Sequence, residues 1–332
     1  MNDKESDLAI HVDNLSKSYG SFLALKGIDL TVCRGEVFGF LGPNGAGKTT
    51  AIRCMLDLIR PDSGTVSVLG RDPQSDPVAV RQHCGYLPGE LRLDENTSVH
   101  SVLEFLRELR GGGKDCQRRA KELAEQLDLN VRSKIKNLSK GNKQKVGIIA
   151  AFMHCPDLLL LDEPTSGLDP LIQQTVLEMV KESRRSGATV FFSSHVLAEV
   201  QAIADRVAII REGQIVEVGK TSSLLSGRAW RMKVIFAENT QIFAEKIEAL
   251  PGIILDAMSS DGRELKLIVD GEMDELIKAL AGYHVESIET ERPDLEEIFL
   301  SYYGEVSERD YLEKSKYSIY KLKDASKYCR IK

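Results

Sequence analysis

Residues Gly42-Pro43-Asn44-Gly45-Ala46-Gly47-Lys48-Thr49 follow the apolar run 37–41 and precede a run, 50–59, that reads as a helix. Strand, glycine-rich turn and helix in that order form a cradle for phosphate. A triphosphate carries several negative charges and must be wrapped by donors that approach without an intervening side chain. Glycines at 42, 45 and 47 let the backbone turn and point its N–H groups at the phosphate oxygens. Lys48 would place an ammonium on the β- and γ-phosphates, the Thr49 hydroxyl would ligate Mg²⁺, and the helix N-terminus adds a favourable dipole. With Pro43, Asn44, Ala46 and Thr50 between and beside these groups, the expected nucleotide-binding loop is 42–50.

Far downstream, Leu158-Leu159-Leu160-Leu161 ends in Asp162-Glu163. A buried strand there delivers two carboxylates to its C-terminal edge. Asp162 suits a hold on Mg²⁺, and Glu163 is then placed to orient or deprotonate an attacking water. Taken alone, the same residues describe a buried strand with a solvated acidic end.

The order of these elements resembles an ATP-binding cassette (ABC) ATPase of the transporter type, from residue 8 to about residue 220. The resemblance implies that Tyr19 stacks on adenine and that ATP and Mg²⁺ are bound. It also likens Leu138-Ser139-Lys140-Gly141-Asn142-Lys143-Gln144-Lys145 to the family signature, with Lys140-Gly141-Asn142 where Gly-Gly-Gln is usual. Ser139, Gly141 and Asn142 would then meet the γ-phosphate held by a second protomer, in a head-to-tail homodimer or a pair with a related cassette. Pro164-Thr165-Ser166-Gly167-Leu168-Asp169-Pro170 resembles the loop that crosses that interface, with Asp169 holding its geometry. His195, after the strand 189–193, falls at the family's switch histidine, which contacts the γ-phosphate and supports the water held by Glu163. Gly89, in Pro88-Gly89-Glu90, stands where the family has a glutamine that reaches metal and water. Either Glu90 takes part of that role or water fills the gap, and slow hydrolysis or altered coupling is expected.

Composition agrees with such a subunit. The chain of 332 residues has a net charge of −6 and a pI near 5.7, so no general basic character points to nucleic acid. No run approaches the roughly 18–20 apolar residues that cross a bilayer, and residues 1–7 are polar and unlike a signal peptide. Transport would therefore require a separate transmembrane permease, with this chain peripheral on the cytoplasmic face of the membrane. Six cysteines, at 33, 54, 84, 116, 155 and 329, have no C-x-x-C pair and read as reduced thiols. Cys54 reads as core packing on the helix after the glycine loop.

Residues 8–39 alternate short β-type runs with turns, which suggests an antiparallel sheet beside the nucleotide site. From about 89 to 155 the spacing turns helical, and Gly111-Gly112-Gly113 reads as a helix stop or a flexible turn. Residues 228–291 parse as strand 231–237, helix 240–250, strands 253–258 and 264–269, helix 272–283 and strand 285–290. That order is β-α-β-β-α-β, a ferredoxin-like sheet, for which a structural or dimerisation role is preferred. Residues 292–300 resemble the closing helix of ABC-2 type exporter ATPases, the group that includes drug and antibiotic efflux pumps. Residues 305–332 form a tail rich in lysine and tyrosine, suited either to solvent or to an anionic surface.

The expected fold is therefore α/β: a P-loop nucleotide-triphosphatase core with an antiparallel β subdomain and a helical subdomain at 8–222, and a ferredoxin-like α+β domain at 228–304. The expected activity is ATP hydrolysis that powers export through a separate permease. Two alternatives stay open: a soluble ABC-type ATPase acting on ribosomes or DNA, and a low-turnover nucleotide-binding regulatory or immunity module.

Overall fold

β1 (Leu8–Tyr19) and β2 (Phe22–Cys33) pair antiparallel, and β4 (Ser63–Val68) joins the other edge of β1 to give the order β2-β1-β4. The computed structural model describes residues 7–226, 230–238, 247, 250–269 and 273–291. The chain divides into two units, Met1–Leu224 and Leu225–Lys332.

The first unit is organised by a six-stranded sheet of order β5-β6-β7-β3-β8-β9, whose members are β3 (Val37–Leu41), β5 (Cys84–Leu87), β6 (Leu158–Asp162), β7 (Thr189–Ser194), β8 (Arg206–Arg211) and β9 (Gln214–Lys220). β3, β6 and β7 are buried along their whole length. Helices cover both faces of a parallel sheet, so these strands read as continuous apolar runs rather than alternating ones. β9 alone runs antiparallel, as the return of a hairpin with β8. Phe191 anchors the core, with ring centroids 5.9 Å from Phe38 and 5.1 Å from Phe40.

α1 (Lys48–Met55) leaves the glycine loop, and α2 (Pro77–Gln82) starts from the Asp76 cap. α3 (Val99–Leu109), α4 (Lys114–Gln126) and α5 (Lys140–Phe152) fill the stretch expected to be helical. α3 stops at the glycine triplet, where Gly111 takes φ +65° and the Arg107 Nη1 donates to Gly112 O at 2.5 Å. α6 (Pro170–Arg185), α7 (Leu197–Ile203) and α8 (Thr221–Ser226) follow.

In the second unit β10 (Trp230–Phe236), β11 (Ile253–Met258), β12 (Glu264–Val269) and β13 (Val285–Glu291) form an antiparallel sheet of order β11-β12-β10-β13. Alternate residues Met232, Val234 and Phe236 of β10 and Leu265, Leu267 and Val269 of β12 face one core, packed with Leu276 and Leu280 of α9 (Asp274–Leu280). The helix expected at 240–250 lies almost wholly outside the described residues, although Ile247 belongs to this core. Residues 292–300 and the tail 305–332 lie outside them as well. Among the described residues, no helix is long and apolar enough to cross a membrane.

Candidate functional site

Three parallel strands end in one row. β3 pairs with β7 so that Leu41 faces Ser194, and β6 pairs with β7 so that Asp162 faces Ser193. The glycine loop, the acidic pair and His195 therefore leave adjacent strand ends together, where α/β sheets bind ligands.

The loop residues have no room for larger side chains at two of their glycines. A Cβ on Gly42 would lie 2.4 Å from Ile210 O, and one on Gly47, which takes φ +110°, would lie 2.7 Å from Ala24 O. Gly42, Ala46, Gly47 and Lys48 are buried, Pro43, Thr49 and Thr50 are partly so, and Asn44 and Gly45 are exposed. Lys48, 5% exposed, donates from Nζ to Gly42 O at 2.6 Å and Pro43 O at 3.1 Å. Its ammonium also stands 3.0 Å from Glu163 Oε1.

Asp162 is fully buried and accepts two hydroxyls, Thr49 Oγ1 on Oδ2 at 2.5 Å and Ser193 Oγ on Oδ1 at 2.6 Å. Glu163 turns out of the strand with φ +52°, a left-handed conformation that costs a non-glycine residue energy and that gathers at functional sites. Its Oε2 is hydrogen-bonded to His195 Nδ1. Its Oε1 faces Lys48 as an ion pair but meets no donor at hydrogen-bond angles, and so remains a buried acceptor. Burial, together with the Asp162 charge, pushes the Tyr86 phenol up. Tyr19 ends β1, 47% exposed, as a free ring face requires.

Ser139 caps α5 by accepting from Asn142 N at 3.2 Å, and Ser139 and Lys140 are exposed. Gly141 lies against the following loop, since a Cβ there would be 2.6 Å from Gly167 O. Asp169 caps α6 by accepting from Ile172 N at 3.1 Å. Among the described residues, no hydrogen bond of Ser139, Gly141 or Asn142 reaches the glycine loop. The structure thus forms two groups within the chain: the loop with Asp162, Glu163 and His195, and the α5 start with the Asp169 loop.

Gly89 rather than Glu90 looks onto the Asp162 carboxylate. A Cβ at 89 would lie 3.0 Å from Asp162 Oδ2, whereas Glu90 is exposed. Two holding residues escaped the sequence reading. Ser193 fixes Asp162, and Gln144 Nε2 donates to Glu163 O at 3.1 Å and Pro164 O at 3.2 Å, tying α5 to the acidic turn. The only sequence signal was their closeness to His195 and Ser139. Cys54 is buried, and its thiol is pushed up to about 11 by burial, which makes it an unreactive part of the core.

Fold and site together define a P-loop ATPase. The ABC transporter family model matches residues 25–166. The daunorubicin resistance ATP-binding protein of Streptomyces coeruleorubidus is 36% identical over 310 residues, which cover 90% of this chain and 97% of that protein. The linearmycin resistance ATP-binding protein of Bacillus subtilis is 32% identical over 307 residues, 89% of this chain and 98% of that protein. A solved ATP-binding subunit of an ABC transporter superposes with a TM-score of 0.61 at 31% identity, over 65% of this chain and 91% of that one. The chain belongs to the ATP-binding proteins of ABC transporters.

Proposed function

We propose that this chain hydrolyses ATP to power export of a drug-like, antibiotic-like or lipid-like molecule through a separate transmembrane permease, from a peripheral position on the cytoplasmic face of the membrane. The exporter reading is supported by relatives that span nearly the whole chain and are named for resistance to daunorubicin and linearmycin. One observation carries the chemistry: Lys48, Thr49, Asp162, Glu163 and His195 converge through direct hydrogen bonds and one ion pair.

That geometry supports the following roles. The loop N–H groups of 42–50 and the Lys48 ammonium bind the phosphates, and Tyr19 stacks on adenine. An incoming γ-phosphate competes with Glu163 for Lys48 and frees Oε1 to accept a hydrogen from water. His195 keeps the carboxylate turned toward that water by holding Oε2. The buried oxygen pair of Thr49 and Asp162 is a hard donor set that fits Mg²⁺, which when bound would neutralise charge on the β- and γ-phosphates.

Ser139, Gly141 and Asn142, with Asp169 behind them, complete the site of a second protomer in a head-to-tail dimer. Nucleotide binding favours the closed pair over the open one. Residues 8–222 form the nucleotide-binding domain and 228–304 an accessory domain, for which the sheet order β11-β12-β10-β13 supports a ferredoxin-like fold.

The test is steady-state phosphate release by the purified chain, alone and with its membrane partner, beside Glu163→Gln. Loss of the base should lower turnover by about 10²-fold or more while an ATP-bound dimer accumulates. Absence of wild-type turnover even with the partner overturns the reading in favour of a regulatory module.

A further inference from the structure

The turn that carries His195 is closed by two side chains that take no direct part in the site. Ser194, at the end of β7, is buried, and its hydroxyl makes two hydrogen bonds. It accepts from Val196 N–H at 2.9 Å and donates to Glu199 Oε2 at 2.7 Å. The Ser194 carbonyl accepts from Gly42 N–H at 3.3 Å. His195 lies between the two ends of this hydroxyl-closed turn. Its backbone is pinned on both sides while its imidazole, 45% exposed, reaches Glu163 Oε2.

Glu199 sits in the first turn of α7 and is 8% exposed. Among the described residues its carboxylate has the Ser194 hydroxyl as donor and no cation as partner. The first turn of a helix suits a carboxylate through the dipole, yet so small an exposure leaves it little contact with solvent. The contact it makes instead fixes the hydroxyl rotor that closes the turn.

We propose that Glu199 is a positioning residue for His195: through Ser194 it sets the turn that aims the imidazole at Glu163. The proposal rests on the ATPase reading above and adds to it a residue that touches neither nucleotide nor water. Without Glu199 the Ser194 hydroxyl is a buried donor lacking its acceptor, the turn relaxes, and Glu163 loses the partner that orients it.

The experiment measures kcat and KM for ATP in Glu199→Ala and Glu199→Gln, each in the wild-type and His195→Ala backgrounds. In parallel it records the side-chain resonances of ¹⁵N-histidine-labelled full-length protein, with His195 assigned by its loss in His195→Ala. Glu199→Ala should lower kcat about tenfold and leave KM within about twofold, the size of one buried hydrogen bond. Glu199→Gln keeps an acceptor oxygen and should stay within about threefold of wild type. In the His195→Ala background Glu199→Ala should have no further effect, because the two residues act as one unit. The His195 imidazole signals should move in Glu199→Ala and hold in Glu199→Gln.

Equal fold-losses in both backgrounds, or unmoved imidazole signals, overturn the proposal. A wild-type chain without turnover counts against the ATPase reading instead, and the resonances alone then decide whether Glu199 positions the ring.

Discussion

Replacing Gly89 by glutamine and, separately, by alanine isolates the effect of an amide from that of volume beside Asp162. A Cβ at 89 would lie 3.0 Å from Asp162 Oδ2, and relaxing to an ordinary contact of 3.4 Å moves the carboxylate by a few tenths of an ångström. That oxygen accepts the Thr49 hydroxyl at 2.5 Å, and Asp162 cannot swing away because Ser193 holds its other oxygen at 2.6 Å. A hydrogen bond to a charged group contributes roughly 1.5–3 kcal/mol, so a shift of this size forfeits about 1 kcal/mol and Gly89→Ala should lose about fivefold in turnover. Glutamine carries the same steric cost but adds an amide that can donate toward Asp162 and the water held by Glu163. One such bond contributes about 1.4 kcal/mol, or tenfold. Gly89→Gln should therefore hydrolyse ATP about twice as fast as wild type and about ten times as fast as Gly89→Ala. The assay is steady-state phosphate release at saturating ATP and Mg²⁺. Equal turnover in Gly89→Gln and wild type would refute the reasoning, since the missing amide would then not limit hydrolysis.

The acid stability of the first unit should depend on His154. Burial, with Arg110 Nη1 2.8 Å from Nε2, lowers its pKa from 6.5 to about 4 in the folded chain. The unfolded chain then binds a proton that the folded one refuses, so this contribution is complete above pH 6.5 and is lost as pH falls toward 4. The loss amounts to about 3 kcal/mol, and His154→Gln should flatten denaturant midpoints across that window. Phe191→Ala should destabilise the unit by about 4 kcal/mol, read by urea unfolding, because Phe38 and Phe40 pack against a fully buried ring.

Much of this protein is written locally. The glycine loop dictates its own conformation because 42, 45 and 47 are glycines between an apolar strand and a helix, and chain-local geometry suffices to aim Lys48 and Thr49. The tetraleucine strand likewise announces its burial and its acidic end. The second unit's strands lie at 253–258 and 264–269 as parsed, and in the latter Leu265, Leu267 and Val269 alternate into a core. α9 is shorter than the helix expected at 272–283, starting at Asp274 and ending at Leu280, because helix ends depend on capping and packing more than on periodicity.

The phosphate-binding loop, the carboxylates and the family resemblance are legible in the chain alone, because each rests on residues within a few positions of one another. The tertiary structure decided which of these groups meet. Strands β6, β7 and β3 lie side by side although 41, 162 and 194 are far apart in the chain, and only that pairing seats Asp162 between Thr49 and Ser193. The Lys48–Glu163 ion pair and the approach of Gly89 to Asp162 are likewise long-range contacts. No periodicity encodes them, because parallel pairing brings together residues whose separation along the chain is set by the intervening helices.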